Sequence, residues 1–171
     1  VLGTPPASAE AVVLEERPMI PSHRPPRSVR EFMRREFITV SPDDSLLEAN
    51  QLMRMARLRH LIVVRDGLLE GILSYRDVQE QALAALEKHP EEDRSALLAR
   101  IPVAEAMSAP PYFVTPETPL AEAAIRLHHL HLGCLPAVEV GPRGAQLVGL
   151  ITESDLLLAA HEALAEAGRS G

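Results

Sequence analysis

The sequence has no tryptophan, one cysteine and one asparagine, and aromatic residues make up 3% of its 171 positions. A chain of this length can bury a sizeable core, and here Leu, Val, Ile, Ala and Met have to build it. A single thiol, Cys134, excludes an intramolecular disulfide, so the expected setting is a reducing cytoplasm. Beside Leu135 that thiol reads as a small buried hydrophobe. No apolar run approaches the roughly 20 residues of a membrane span, and the first residues lack the basic-then-apolar order of a secretory signal. Positive charge is in the minority: 17 Lys+Arg against 24 Asp+Glu give a formal net charge of −7. That balance argues against nucleic acid or an anionic membrane as partner, but leaves room for a small anionic ligand in a local field. No nucleophile–base pair is evident, so an enzyme is not expected. His128 and His131 in "HHLH" stand one helical turn apart, but no acid or Cys completes a three- or four-ligand set, so neither metal nor cofactor is expected.

Proline is plentiful, and six of the fifteen fall within residues 1–27, which read as an irregular N-terminal arm. Within it only "EAVVLEE" (10–16) has ordering potential. From residue 28 the chain repeats itself. Val29, Glu31, Met33, Val40, Pro42, Leu46, Glu48, Ala49, Leu58, Leu61 and Val64 meet the same residue types 74 positions later, at Val103 through Val138. After a four-residue gain in "GPRGAQ", Gly71 meets Gly149 and Asp77 meets Asp155, an offset of 78.

Each copy has one element order. "FITV" (37–40) reads as a short strand, "SPDDS" as punctuation, and Leu46, Ala49, Met53 and Ala56 as the buried stripe of a helix. Asp44 or Ser45 caps that helix. The aligned Thr118-Pro119 favours Asp44, because proline suits the first helical position. "LIVV" (61–64), an Asp66-Gly67 turn and "LLEGIL" (68–73) form a β-hairpin, and a second helix starts at "YRDVQEQALAAL" (75–86). The expected organisation is an arm (1–27), repeat one (28–88), a helical linker (89–101) with a helix in "EEDRSALLAR" (91–100), repeat two (102–166) and a tail (167–171). The fold class is α+β, with two β-α-β-β-α units packed by pseudo-twofold symmetry. One such unit alone is marginal, so the two are expected to bury their sheets against each other and share a cleft.

The hairpin-to-helix junctions "GILSYRD" (71–77) and "GLITESD" (149–155) share Gly-aliphatic-aliphatic-Ser/Thr-x-x-Asp. Free N–H groups at a helix start attract anions. A hydroxyl and a carboxylate three residues apart suit a ribose with phosphates attached, and Gly71 permits close backbone approach. The same spacing is also a capping box. Its duplication at equivalent places is what moves the reading toward a ligand.

These residues resemble a tandem pair of CBS domains, also called a Bateman module, over about residues 28–160. The motifs that carry the resemblance are Met33, "VSPDDSLLEA" (40–49), "RHLIVV" (59–64) and "GILSYRDV" (71–78), with Met107, "VTPETPLAEA" (114–123), "CLPAV" (134–138) and "GLITESDL" (149–156). Ile62 stands where the family often has proline, which repeat two keeps as Pro136. The resemblance implies a regulatory module binding adenosine ligands (AMP, ADP, ATP or S-adenosylmethionine) between the repeats. It also implies a homodimer and an unidentified regulated partner. It assigns one pocket to Ser41, Leu58, Arg59, His60, Leu61, Thr152, Ser154 and Asp155. The other takes Thr115, Leu132, Gly133, Cys134, Leu135, Ser74, Arg76 and Asp77. Arg59 and His60 are expected to make the first pocket the stronger phosphate site. Two rivals stay open: a ligand-free scaffold whose motifs are only helix caps, and a binder of NADH or another nucleotide.

Overall fold

The computed structural model describes residues 27–169. The arm up to residue 26, including "EAVVLEE", lies outside the described residues. The elements are α1 (Val29–Phe32), β1 (Thr39–Val40), α2 (Leu46–Ala56), β2 (His60–Arg65), β3 (Leu68–Ser74), α3 (Tyr75–Lys88) and α4 (Arg94–Leu98). A 3₁₀ turn (Val103–Glu105), α5 (Leu120–His129), β4 (Cys134–Gly141), β5 (Gly144–Thr152) and α6 (Glu153–Ala167) follow.

Two hairpins form the frame. The first turns at Asp66 and Gly67, which both take positive φ (53° and 79°), a conformation open to glycine and tolerated by aspartate. β2 pairs antiparallel with β3, and β4 with β5, with register shifts at Val63/Val64 and at Ala137/Val138. These shifts lie 74 residues apart, so the pseudo-twofold symmetry extends to irregularities. β1 runs parallel to β2, and its counterpart in the second half is one parallel bridge, Val114 to Ala137.

The halves do not stack as two separate sheets. The strands form one sheet in the order β1-β2-β3-β5-β4, joined by the antiparallel β3–β5 contact at Leu68 and Gln146. Leu147 N donates to Gly67 O across this joint at 3.1 Å. The expectation of sheets buried face to face is therefore corrected. The hairpin tips meet edge to edge, and the helices cover the sheet.

Each half lends its first segment to the other. One core joins Leu46, Ala49, Met53, Leu61, Val63, Leu73 and Val78 to Val103, with Met107 packed against it. The second joins Val29 and Met33 to Val114, Ala123, Leu127, Leu135 and Ile151. Arg34 and Leu150 exchange two backbone hydrogen bonds (2.8 and 2.9 Å), and Ile72 and Ser108 do the same (3.2 and 2.8 Å). This exchange accounts for the motif glycines. A Cβ on Gly71 would come 2.7 Å from Met107 Sδ, and one on Gly149 would come 2.6 Å from Met33 Sδ. The glycines make room for the visiting methionines.

The expectation that Asp44 caps α2 is overturned. Ser45 Oγ accepts from Glu48 N, and Ser45 N donates back to Glu48, completing a capping box. Asp44 instead accepts from Ser41 N at 2.7 Å, and Thr118 Oγ1 accepts from Thr115 N at 3.0 Å. The aligned Asp44 and Thr118 thus close the preceding turn, and Pro119 itself is the N-cap of α5.

Candidate functional site

Antiparallel pairing sets His60 opposite Ser74, and Tyr75 N donates to Arg59 O at 2.8 Å. The start of β2 therefore lies beside the N-terminus of α3. The exchanged segment 108–112 passes this junction, and the turn before β4 closes the other side. Together they bound a cleft of about 840 Å³. Its apolar wall includes Ile72, Pro110, Pro111, Tyr112 and Leu132, and its polar end includes Ser74, Arg76, Asp77, Arg59 and His60.

Ser74 and Asp77 form a capping box: Asp77 N donates to Ser74 Oγ at 3.1 Å, and Ser74 N donates to Asp77 Oδ2 at 2.8 Å. Among the described residues Asp77 Oδ1 takes no hydrogen bond, so one carboxylate oxygen stays available. Gln79 also lines the cleft. Its Oε1 accepts from Arg94 at 2.7 Å, while its buried Nε2 has no partner. A buried donor without an acceptor is costly, and the residue that carries it is one that lines the cavity.

Arg76 is mostly exposed and pairs with Glu80 at 3.3 Å one turn on, a contact that contributes little to stability and leaves the guanidinium free to move. His60 packs over Gly133, where a Cβ would come 2.4 Å from its Cε1. Burial, followed by the charge of Arg59, pulls the His60 pKa down, while the carboxylates of Asp77 and Glu153 oppose. Burial pushes the Cys134 thiol up to about 11, so it is a protonated wall group rather than a nucleophile.

The structure brings together Arg59, His60, Ser74, Arg76, Asp77 and Cys134 from the expected set, with Leu132 and Gly133. It does not keep the expected grouping. Arg59 and His60 line the Ser74–Asp77 cleft, because the β2–β3 hairpin holds them against α3. Ser41 and Thr115 do not line it; each sits in a turn, bonded to Asp44 and Thr118. Leu61 and Leu135 are wholly buried core. At the other junction Ser154 is exposed, while Asp155 is buried and accepts from Thr152 N, Thr152 Oγ1 and Arg34 Nε.

Tyr75, Gln79, Ser108, Pro110, Pro111 and Tyr112 were not expected at the site. Tyr75 lies inside the motif and was readable there. Residues 108–112 reach the cleft only through the segment exchange. Among the described residues there is no cluster of three or more potential metal ligands, and no helix is long and apolar enough to cross a membrane.

A family model described as "CBS domain" matches residues 29–83 and 103–162. The chain is 32% identical over 130 residues to an inosine-5′-monophosphate dehydrogenase of Korarchaeum cryptofilum. The match covers 76% of this chain and 24% of that protein, so the chain spans about a quarter of that relative's length. Among solved structures, a putative acetoin utilization protein (AcuB) from Vibrio cholerae superposes with a TM-score of 0.67 at 32% identity, covering 85% of this chain and 98% of that one. CBSX2 of Arabidopsis thaliana in complex with AMP superposes with a TM-score of 0.66 at 27% identity, covering 80% and 97%.

Proposed function

The chain belongs to the CBS-domain family as a tandem pair, and from that premise we propose that it is a non-catalytic sensor of adenosine-containing ligands, held in the cleft at Ser74–Asp77. One observation carries the reading. An apolar slot opens onto a helix N-terminus that carries the Asp77 carboxylate and the Arg76 guanidinium, with the Arg59 guanidinium beside it from the start of β2. A flat base suits the slot, a ribose diol can donate to Asp77 Oδ1, and a phosphate suits Arg59 and Arg76. The AMP complex of CBSX2 supports this ligand class. S-Adenosylmethionine remains within the proposal, since it shares the base and ribose.

Occupancy would be relayed through the halves themselves, because both repeats and the exchanged segment contribute walls. We extend the proposal to a homodimer that passes the signal to a regulated partner in a reducing cytoplasm. Ile125, Leu157, Leu158 and Leu164 expose apolar side chains on α5 and α6, and a second copy would cover such faces. Sedimentation at tens of micromolar should give twice the 18.7 kDa chain mass; a single-chain mass contradicts the dimer.

The rival scaffold reading draws on the capping boxes, which at both junctions are complete without a ligand. Calorimetry with AMP, ADP, ATP and S-adenosylmethionine separates the two. The sensor gives saturable heat with at least one of them, and Asp77→Ala weakens that ligand by roughly ten- to a hundredfold, the worth of hydrogen bonds to a charged group. No heat at millimolar ligand supports the scaffold.

A further inference from the structure

The two junctions are built alike but not left alike. Asp77 and Asp155 occupy the same place in the motif, 78 residues apart. The exchanged segments reach them through matching backbone pairs, Ser108 with Ile72 and Arg34 with Leu150. Arg34 and Ser108 are themselves related by the 74-residue repeat offset. At one junction the visiting side chain is a serine, and the Asp77 carboxylate, which lines the cleft, keeps one oxygen that takes no hydrogen bond among the described residues. At the other it is an arginine, whose Nε donates to Asp155 Oδ1 at 2.8 Å. The remaining oxygen, Oδ2, takes Thr152 N at 2.9 Å and Thr152 Oγ1 at 2.6 Å. The side chain of Asp155 is only 8% exposed. Both of its oxygens are therefore engaged by the chain's own donors, in an arrangement a ribose diol would have to break.

We propose that Arg34 plugs the second junction by occupying the carboxylate that a nucleoside ribose would use, so that this chain holds one nucleotide where its repeat would allow two. The inference rests on the nucleotide reading of the Ser74–Asp77 cleft. It assigns Arg34 the role of a built-in competitor. A guanidinium held on the same chain faces no association cost, whereas a ligand must both displace it and leave it unpaired. The opposite role for the same side chain is a phosphate anchor, which its exposed face and permanent charge would also suit. The two roles predict opposite outcomes when Arg34 is removed.

Calorimetric titration with AMP of the natural chain, Arg34→Ser and Ser108→Arg decides between them. The natural chain is expected to bind about one AMP per chain, and Arg34→Ser two. Ser108→Arg, which carries the plug to the open junction, is expected to weaken AMP binding at least tenfold. Two AMP per natural chain overturn the plug, as does a folded Arg34→Ser chain that binds one or fewer. If Arg34→Ser does not fold, as judged by circular dichroism, Ser108→Arg decides alone: undiminished binding there overturns the proposal. No heat from the natural chain contradicts instead the nucleotide reading on which the plug rests.

Discussion

His60 sits among charges of both signs, with Arg59 beside it in sequence and the carboxylates of Asp77 and Glu153 facing it from the first turns of α3 and α6. Burial and Arg59 outweigh those carboxylates and hold its pKa below the ordinary 6.5, so the folded, ligand-free chain favours the neutral ring. For a group whose folded pKa is depressed, the stability it contributes is present above the unfolded value. It is lost as pH falls through the folded value. Urea midpoints should therefore decline between pH 7 and pH 5, and His60→Gln should decline less steeply. Equal slopes for the two chains would contradict this account of His60. At this scale the sequence was partly legible. Ser74, Arg76, Asp77, Arg59 and His60 were readable because they sit in or beside a duplicated motif. Their grouping was not, because pairing His60 with Ser74 is a matter of hairpin register. The sequence places Gly133 in the second pocket, whereas in the fold it is the space that the His60 ring fills.

At the scale of elements, helix and hairpin positions followed from periodicity and turn residues, and their ends did not. The strand expected over 37–40 is only Thr39–Val40, and the helix expected over 91–100 is Arg94–Leu98, started by Asp93. Ser45 rather than Asp44 caps α2 because Asp44 is drawn off by Ser41 N, a local competition that alignment with Thr118-Pro119 could not reveal. The role of the repeated glycine also changes here. Gly149 faces Met33 and the carbonyl of Arg34, with a built Cβ 2.6 Å from the sulfur and 3.2 Å from the backbone oxygen. Overfilling a packed contact costs about 1–3 kcal/mol. Gly149→Ala should lower unfolding stability by about that amount in urea titrations, through the Met33 contact. A variant as stable as the natural chain would show that the visiting methionine yields freely and that the glycine has another purpose.

At the scale of the whole molecule, the repeat predicted the pseudo-twofold symmetry but not the exchange of first segments, since an exchanged and an unexchanged segment present the same sequence. The exchange brings residues 108–112 to the Ser74–Asp77 junction and Arg34 to Asp155, and so creates both the open cleft and its closed counterpart. It also offers a direct view of the cleft. The chain has no tryptophan and two tyrosines, and both Tyr75 and Tyr112 line the cleft. Tyrosine emission of this protein is therefore a probe of that one place. The measurement that bears most directly on the nucleotide reading is the tyrosine emission of the full chain during titration with AMP, corrected for absorption by the nucleotide and repeated with Asp77→Asn. The account predicts a saturable change in the natural chain that shifts to at least tenfold higher AMP in the variant. Emission that stays flat to millimolar AMP in the natural chain, or an identical curve for both, would contradict it.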